Sequence, residues 1–236
     1  MKKTANKCGM NFTFYDYSTK EPKMFVDFIN DFTEELSSER TYATGGQNGA
    51  NLVGFDDAIT GTVKVATQII PIELLAMAAG NGATSGAQLA HREVLTAQNG
   101  KITLSNTPVS GSLWVYAADS DCSGEPAAKT ASGKEVTVSD AAEGAEYIAY
   151  YLEESETAKR VEFKNDNTPS FYIMRGYTKL KDTEGADSLE YVVGYKLQPK
   201  RALSLTYHGK GDPISLEMEF DIMEDADGNT YEHTRV

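Results

Sequence analysis

Between Ile214 and Ile222 the chain reads Ile-Ser-Leu-Glu-Met-Glu-Phe-Asp-Ile. Successive side chains of a β-strand point to opposite faces, so strict alternation sorts residues into two sets. One set, Ile214, Leu216, Met218, Phe220 and Ile222, demands a core. The other places Glu217, Glu219 and Asp221 together on a wet, anionic face. Arg201 to Tyr207 alternates in the same sense, and Gly209-Lys210-Gly211-Asp212-Pro213 supplies a turn between the two runs. Phe171 to Leu180 and Ser188 to Leu197 are rich in Tyr, Val, Ile and Leu and flank Asp182-Thr183-Glu184-Gly185-Ala186. The last quarter thus reads as a four-stranded antiparallel meander.

Strand chemistry continues upstream. Phe12 to Tyr17, Met24 to Phe32 and Gly61 to Thr67 have extended composition, separated by polar and Gly-rich stretches. Pro71 to Gly80 differs: it opens with Pro, carries Glu73 in its first turn, fills with Leu, Ala and Met, and stops at Gly-Asn-Gly. It predicts one short helix with Ile72, Leu75, Ala76 and Met77 as its packing face. Lys101 to Leu104, Ser112 to Ala117, Glu135 to Ser139 and Glu146 to Leu152 read as further strands around a loop from Asp119 to Gly133. No Pro-rich or charged linker interrupts the chain, which favours a single domain over residues 1–236, with 90–157 as an outer elaboration.

Charge narrows the partners. The 236 residues carry 22 Lys and Arg against 35 Asp and Glu, a formal net charge of −13. That balance opposes wrapping nucleic acid through phosphates or docking on an anionic membrane. From Asp212 onward there are eight acids and one Arg, so more than half of the excess lies in the last 25 residues. The basic N-terminus has no apolar stretch behind it, and no apolar run spans a bilayer, so the chain reads as a cytoplasmic product. Cys8 and Cys122 are then expected to be free thiols.

The motifs of catalysis are missing. Gly82-Ala83-Thr84-Ser85-Gly86 lacks the glycine of a nucleophile elbow, and Gly133-Lys134-Glu135 lacks the rest of a phosphate loop. His91, His208 and His233 are widely separated, and His208 beside Gly209 reads as a strand-end residue. Asp119-Ser120-Asp121-Cys122-Ser123-Gly124 matches the start of a calcium loop, but Thr130 replaces its closing Glu. Asp225 to Asn229 has its Gly misplaced. Both acidic stretches read as solvated turns, with a weak Ca²⁺ site at Asp119 and Asp121 left open. Glu217, Glu219 and Asp221 have the i, i+2 spacing of about 7 Å that a glycosidase pair uses, yet no sugar platform accompanies them in sequence. No catalytic residue, metal ligand or cofactor is assigned.

Several segments, in order, resemble one family. Thr41-Tyr42-Ala43-Thr44-Gly45-Gly46-Gln47, Asn51-Leu52-Val53-Gly54-Phe55-Asp56 and Ile70 to Ala76 are similar to the N-terminal half of the tail tube (major tail) proteins of long-tailed bacteriophages. Thr107 to Tyr116 resembles the family's middle section. Phe171 to Gly176, Leu197 to Lys200 and Gly211-Asp212-Pro213 leading into the alternating strand resemble its closing strands.

The resemblance implies a mainly β fold of two packed antiparallel sheets, sandwich-like or barrel-like, plus one short helix. It also implies hexameric rings in which the inner sheets join into a β-barrel around a lumen, stacked into a conduit for DNA ejection. The partners would be further copies of the chain, a tape measure protein, and tail terminator and baseplate proteins. DNA would pass without specific binding, and the chain would be a virion component assembled in the host cytoplasm. On this reading Glu217, Glu219 and Asp221 face the lumen, and the Gly-rich stretch holding Thr41, Tyr42, Gly45, Gly46 and Gln47 is an arm reaching another subunit. The helix packs on the side away from the lumen. The competing reading is a β-sandwich adhesin or carbohydrate-binding module of a virion or cell surface, drawn from the Tyr-, Thr- and Ser-rich strands of residues 101–152.

Overall fold

The computed structural model describes residues 3–6, 9–46, 48–139, 141–205, 207, 209–211 and 213–236. Cys8, Gln47 and His208 therefore lie outside the described residues. Among those described, the strands are β1 (Thr4–Asn6), β2 (Asn11–Asp16), β3 (Pro22–Val26), β4 (Ile29–Ser37), β5 (Arg40–Gly45), β6 (Ala50–Asp56) and β7 (Thr60–Thr67). Helix α1 (Ile72–Ala79) follows, then β8 (Thr84–Thr96), β9 (Lys101–Thr103), β10 (Trp114–Ala117), β11 (Glu135–Thr137) and β12 (Glu146–Arg160). The chain closes with β13 (Tyr172–Asp182), β14 (Asp187–Pro199), β15 (Leu216–Ile222) and β16 (Tyr231–Arg235). Contacts divide the chain into two compact units, residues 1–83 with 161–236, and residues 84–160.

The first unit is built on one antiparallel sheet in the order β3-β2-β13-β14-β15-β7-β4, with β1 added beside β13 and β16 beside β14. A flat sheet would hold β2 and β15, three ladder steps apart, about 14 Å from each other. Instead Phe14 of β2 stacks on Phe220 of β15 with ring centroids 5.1 Å apart, and Phe12 meets Phe32 of β4 at 5.9 Å. The sheet is folded over on itself, and its core lies between the halves: Phe12, Phe14, Val63, Val65, Met174, Leu197, Leu216, Met218, Phe220 and Ile222 are all buried there. The expectation of two packed layers is met by one continuous sheet. No closed barrel forms within the described chain.

Strand β14 makes the fold-over. Its first half pairs with β16 (Val192↔His233), and its end pairs with β15 (Leu197↔Ile222) along the same edge. β15 and β16 are thus two parts of one long line, interrupted by a turn in which the Asp225 carboxylate accepts from the N–H groups of Asp227 and Asn229. The backbone bond to Asn229 is the main reason the Asp225 carboxyl sits below its ordinary value. Both of its oxygens are engaged by Asn229, so this acidic stretch is an Asx turn.

Helix α1 follows the sequence pattern at both ends. Pro71 precedes it, Glu73 lies in its first turn, and Gly80 closes it in the left-handed conformation at φ 74°. A side chain at Gly80 would also strike the Thr168 carbonyl carbon at 2.7 Å. Of the expected packing face, Ala76 and Met77 are buried and Ile72 and Leu75 are half-buried, with Leu75 packed against the core; Leu74, Ala78 and Ala79 go deepest.

Other expectations change too. Met24 to Phe32 is two strands, because the chain leaves β3 at Val26 and enters β4 at Ile29. Among the described residues of 201–207 no strand forms, and only Ser204 bridges Glu217. β14 already occupies the edge of β15 from Phe220 to Ile222, and Arg201 is drawn aside to the carbonyls of Lys164 and Asn165. Ile214 precedes β15 and is half-buried.

The second unit holds a three-stranded antiparallel sheet, β10-β12-β8, and the pair β11-β9. Val115, Tyr147, Ala149 and Tyr151 pack with Ile102, Leu104, Val136 and Val138 in its own core. β8 was invisible to pattern reading because it alternates little, whereas twelve of its thirteen residues find partners on β12, with one bulge between Ser155 and Lys159. In the Asp119 stretch, read as a turn, Asp121 is engaged by its neighbours. That carboxylate accepts from Arg92 at 2.9 Å and from the Tyr150 hydroxyl at 2.7 Å. Arg92 holds it below the ordinary range, and Cys122 and Asp121 together push Tyr150 up to about 12. Cys122 is an exposed free thiol.

The helix register yields a stability test. Leu74→Ala should cost about 3 kcal/mol in denaturant unfolding, while Leu75→Ala should cost about 1 kcal/mol. Equal losses would contradict the packing.

Candidate assembly surfaces

The alternating strand delivers its two faces. Along β15, Leu216, Met218, Phe220 and Ile222 are buried, and the intervening Glu217, Glu219 and Asp221 emerge opposite. The register carries the outer face across neighbouring strands: Glu217 lies beside Ala66, Glu219 beside Lys64 and Asp221 beside Thr62 of β7. Asp31, Thr33 and Glu35 of β4 continue these rows. The hydrated face therefore brings together five carboxylates from two strands, two more than the alternation of β15 announces.

Two lysines temper that face. Lys200, just past β14, donates to Glu219 at 2.7 Å and lies 3.3 Å from Asp221, and Lys64 sits 3.9 Å from Glu35. The hydrogen bond from Lys200 is the leading cause that holds the Glu219 carboxyl below its ordinary value, and the same bond raises Lys200. Glu219 and Asp221 are thus bridged by one lysine, a feature the strand pattern could not show because Lys200 lies in a different segment.

The opposite half of the folded sheet has a different outer surface. Phe25, Thr13, Arg175, Val193 and Glu232 lie in direct register across β3, β2, β13, β14 and β16, with Asn11, Tyr177, Tyr191 and Thr234 in the next row. Phe25, Tyr177 and Tyr191 are exposed. The first unit therefore has one carboxylate-rich face and one tyrosine-rich face.

β5 and β6 form a separate two-stranded sheet. Thr41, Tyr42 and Gly45, placed in a Gly-rich loop by composition, belong to strand β5, and Gly46 to the tip. The signal that was overlooked is the cross-strand pairing of Arg40 with Asp56, Thr41 with Phe55, Tyr42 with Gly54 and Ala43 with Val53. Arg40 is bidentate on Asp56, Nη2 to Oδ2 at 2.8 Å, and this holds the Asp56 carboxyl below its ordinary value. Among the described residues nothing covers the apolar side chains of the hairpin: Leu52 is 67% exposed, Phe55 58%, Val53 51% and Tyr42 49%. An isolated two-stranded hairpin is marginal in water, and this one spends its apolar side chains on solvent.

At the far end of the core, the Tyr231 hydroxyl donates to Glu34 at 2.5 Å, and His233 lies 3.0 Å from the same carboxylate. Burial, then this bond, raises the Tyr231 phenol. The contact ties β16 to β4, strands that share no backbone ladder.

No helix among the described residues is long and apolar enough to cross a membrane, and no group of three or more His, Cys, Asp or Glu among them could hold a metal ion. A family model described as the YomU/Tube protein family matches residues 9–235. No curated protein matches the chain.

The Lys200 bridge has a defined pH signature. The folded Glu219 value lies below the unfolded one, so the pairing stabilises the fold above the ordinary carboxylate range. That contribution is lost as pH falls through the lowered value. Lys200→Met should move the Glu219 carboxyl-carbon titration upward in NMR. An unchanged titration would contradict the bridge.

Proposed function

Because the chain belongs to the YomU/Tube protein family, we propose that it is a structural virion protein whose copies close into hexameric rings, stacked as a phage tail tube for DNA ejection. The observation that carries this reading is the hairpin β5–β6, whose exposed Leu52, Val53, Phe55 and Tyr42 have no partner surface in their own sheet. An arm of that kind is stable when another copy covers it, and a head-to-tail contact that does not close on itself generates a filament.

Ring closure has a physical motive as well. β3 and β4 end the strand order of the main sheet, and each offers an open ladder edge for a neighbouring copy. Joining copies edge to edge leaves the faces turned from the core lining a channel. We assign the Glu217, Glu219 and Asp221 face to that channel, since a carboxylate-rich wall gives a passing polyanion nothing to bind. Lys200 and Lys64 limit the mutual repulsion of that wall. The same reading makes a tape measure protein the occupant of the bore before ejection, and terminator and baseplate proteins the partners at its ends.

Negative-stain microscopy of the concentrated protein should show tubes or rings. A Leu52→Asp, Phe55→Asp double variant should keep its monomer melting behaviour and lose the tubes, because both residues are already exposed in the subunit. Tubes of normal length from that variant would overturn the role given to the arm. Changing Glu217, Glu219 and Asp221 to Lys should leave folding nearly intact and lower infectivity of virions carrying the variant. Infection at the normal rate would place these acids on the outer wall.

A further inference from the structure

Three Asn-Gly steps occur in the chain: Asn48-Gly49, Asn81-Gly82 and Asn99-Gly100. In such a step the glycine backbone nitrogen, unshielded by a Cβ, attacks the asparagine side-chain carbonyl carbon. A bond forms from the glycine nitrogen to Cγ, the Cγ–Nδ2 bond breaks, and ammonia leaves. Water then opens the five-membered imide at either carbonyl, giving aspartate or isoaspartate. Water enters and ammonia departs, so no oxidant or cofactor is required.

The fold treats the three steps differently. Asn81 is held by its own amide, with Nδ2 donating to the Glu162 carbonyl at 2.8 Å and Oδ1 buried. Asn99 sits at φ 50° in a two-residue turn locked on both sides by Gln98–Lys101 hydrogen bonds of 2.8 and 3.1 Å, with its N–H given to Glu143. Asn48 is exposed at the tip of the hairpin, and its side chain makes no hydrogen bond among the described residues. The Gly49 N–H has a single long bond, 3.3 Å to the Gly46 carbonyl, and open space surrounds both glycines.

We propose that Asn48-Gly49 is the modification site of this chain, forming an imide and then aspartate or isoaspartate, and that conversion withdraws a subunit from assembly. This second half rests on the arm reading given above. Conversion places a new carboxylate at the arm tip of a chain whose net charge is already −13. The isoaspartate product also routes the main chain through the former side chain, which lengthens the turn between β5 and β6 by one methylene. Both changes act where the arm must seat on another copy.

The test is peptide mapping of the purified subunit, aged at mildly alkaline pH, with isoaspartate measured by enzymatic methylation. Freeing a pinned amide costs about one hydrogen bond, so Asn48 should convert roughly tenfold faster than Asn81 or Asn99. Asn48→Gln, which would need a slower six-membered ring, should remove the signal. Comparable rates at all three steps would overturn the site. Aged and fresh subunits mixed and assembled should give tubes depleted severalfold in converted chains relative to the soluble pool. Equal representation would overturn the withdrawal from assembly while leaving the site standing. If no tubes form from fresh protein, the arm reading itself fails, and the first measurement still decides the chemistry.

Discussion

Everything in the first unit depends on β15 being committed on both faces. Leu216, Met218, Phe220 and Ile222 enter the core, and a slip of one residue would exchange them for Glu217, Glu219 and Asp221. Burying even one unpaired carboxylate there costs several kcal/mol, so the register is held more firmly than hydrogen bonds alone would hold it. Its ladders to β7 and β14 then position the two halves of the folded sheet, and Phe220 meets Phe14 across the interior. The hydrated carboxylate face is a consequence of the same alternation.

That constraint also explains which parts were readable in the sequence. The alternating strand, the hairpin of β13 and β14, and the helix between Pro71 and Gly80 each announce themselves through local chemistry: period two, a turn at Gly185, and end signals. The hairpin β5–β6 does not, because its strands carry Gly45, Gly54 and several threonine and alanine residues that resemble loop composition. Only the pairing of Arg40 with Asp56 and the run of Leu52, Val53 and Phe55 reveal it once folded. β8 was hidden for a related reason, since its stability comes from β12, whose paired residues lie fifty or more positions further along the chain.

The acidic face was legible as a face but not as a network. Glu217, Glu219 and Asp221 share a side by arithmetic alone. Lys200 reaches two of them only because β14 ends beside β15, and the alternating run from Arg201 loses its place as a strand, over its described residues, to that same edge. Local pattern gave a residue's preferred side; competition for a ladder edge decided whether it was used. The family match over residues 9–235 agrees with the order of short motifs that suggested a tube protein, none of which was specific alone.

The central claim is that this chain works only as part of a polymer that covers its arm and turns its carboxylates inward. A cryo-electron microscopy reconstruction of the assembled polymer tests it most directly. The account predicts a hollow tube with Glu217, Glu219 and Asp221 lining the bore and Leu52 and Phe55 buried against a neighbouring copy. A reconstruction with those acids on the outer wall, or with the hairpin standing free in solvent, would contradict it.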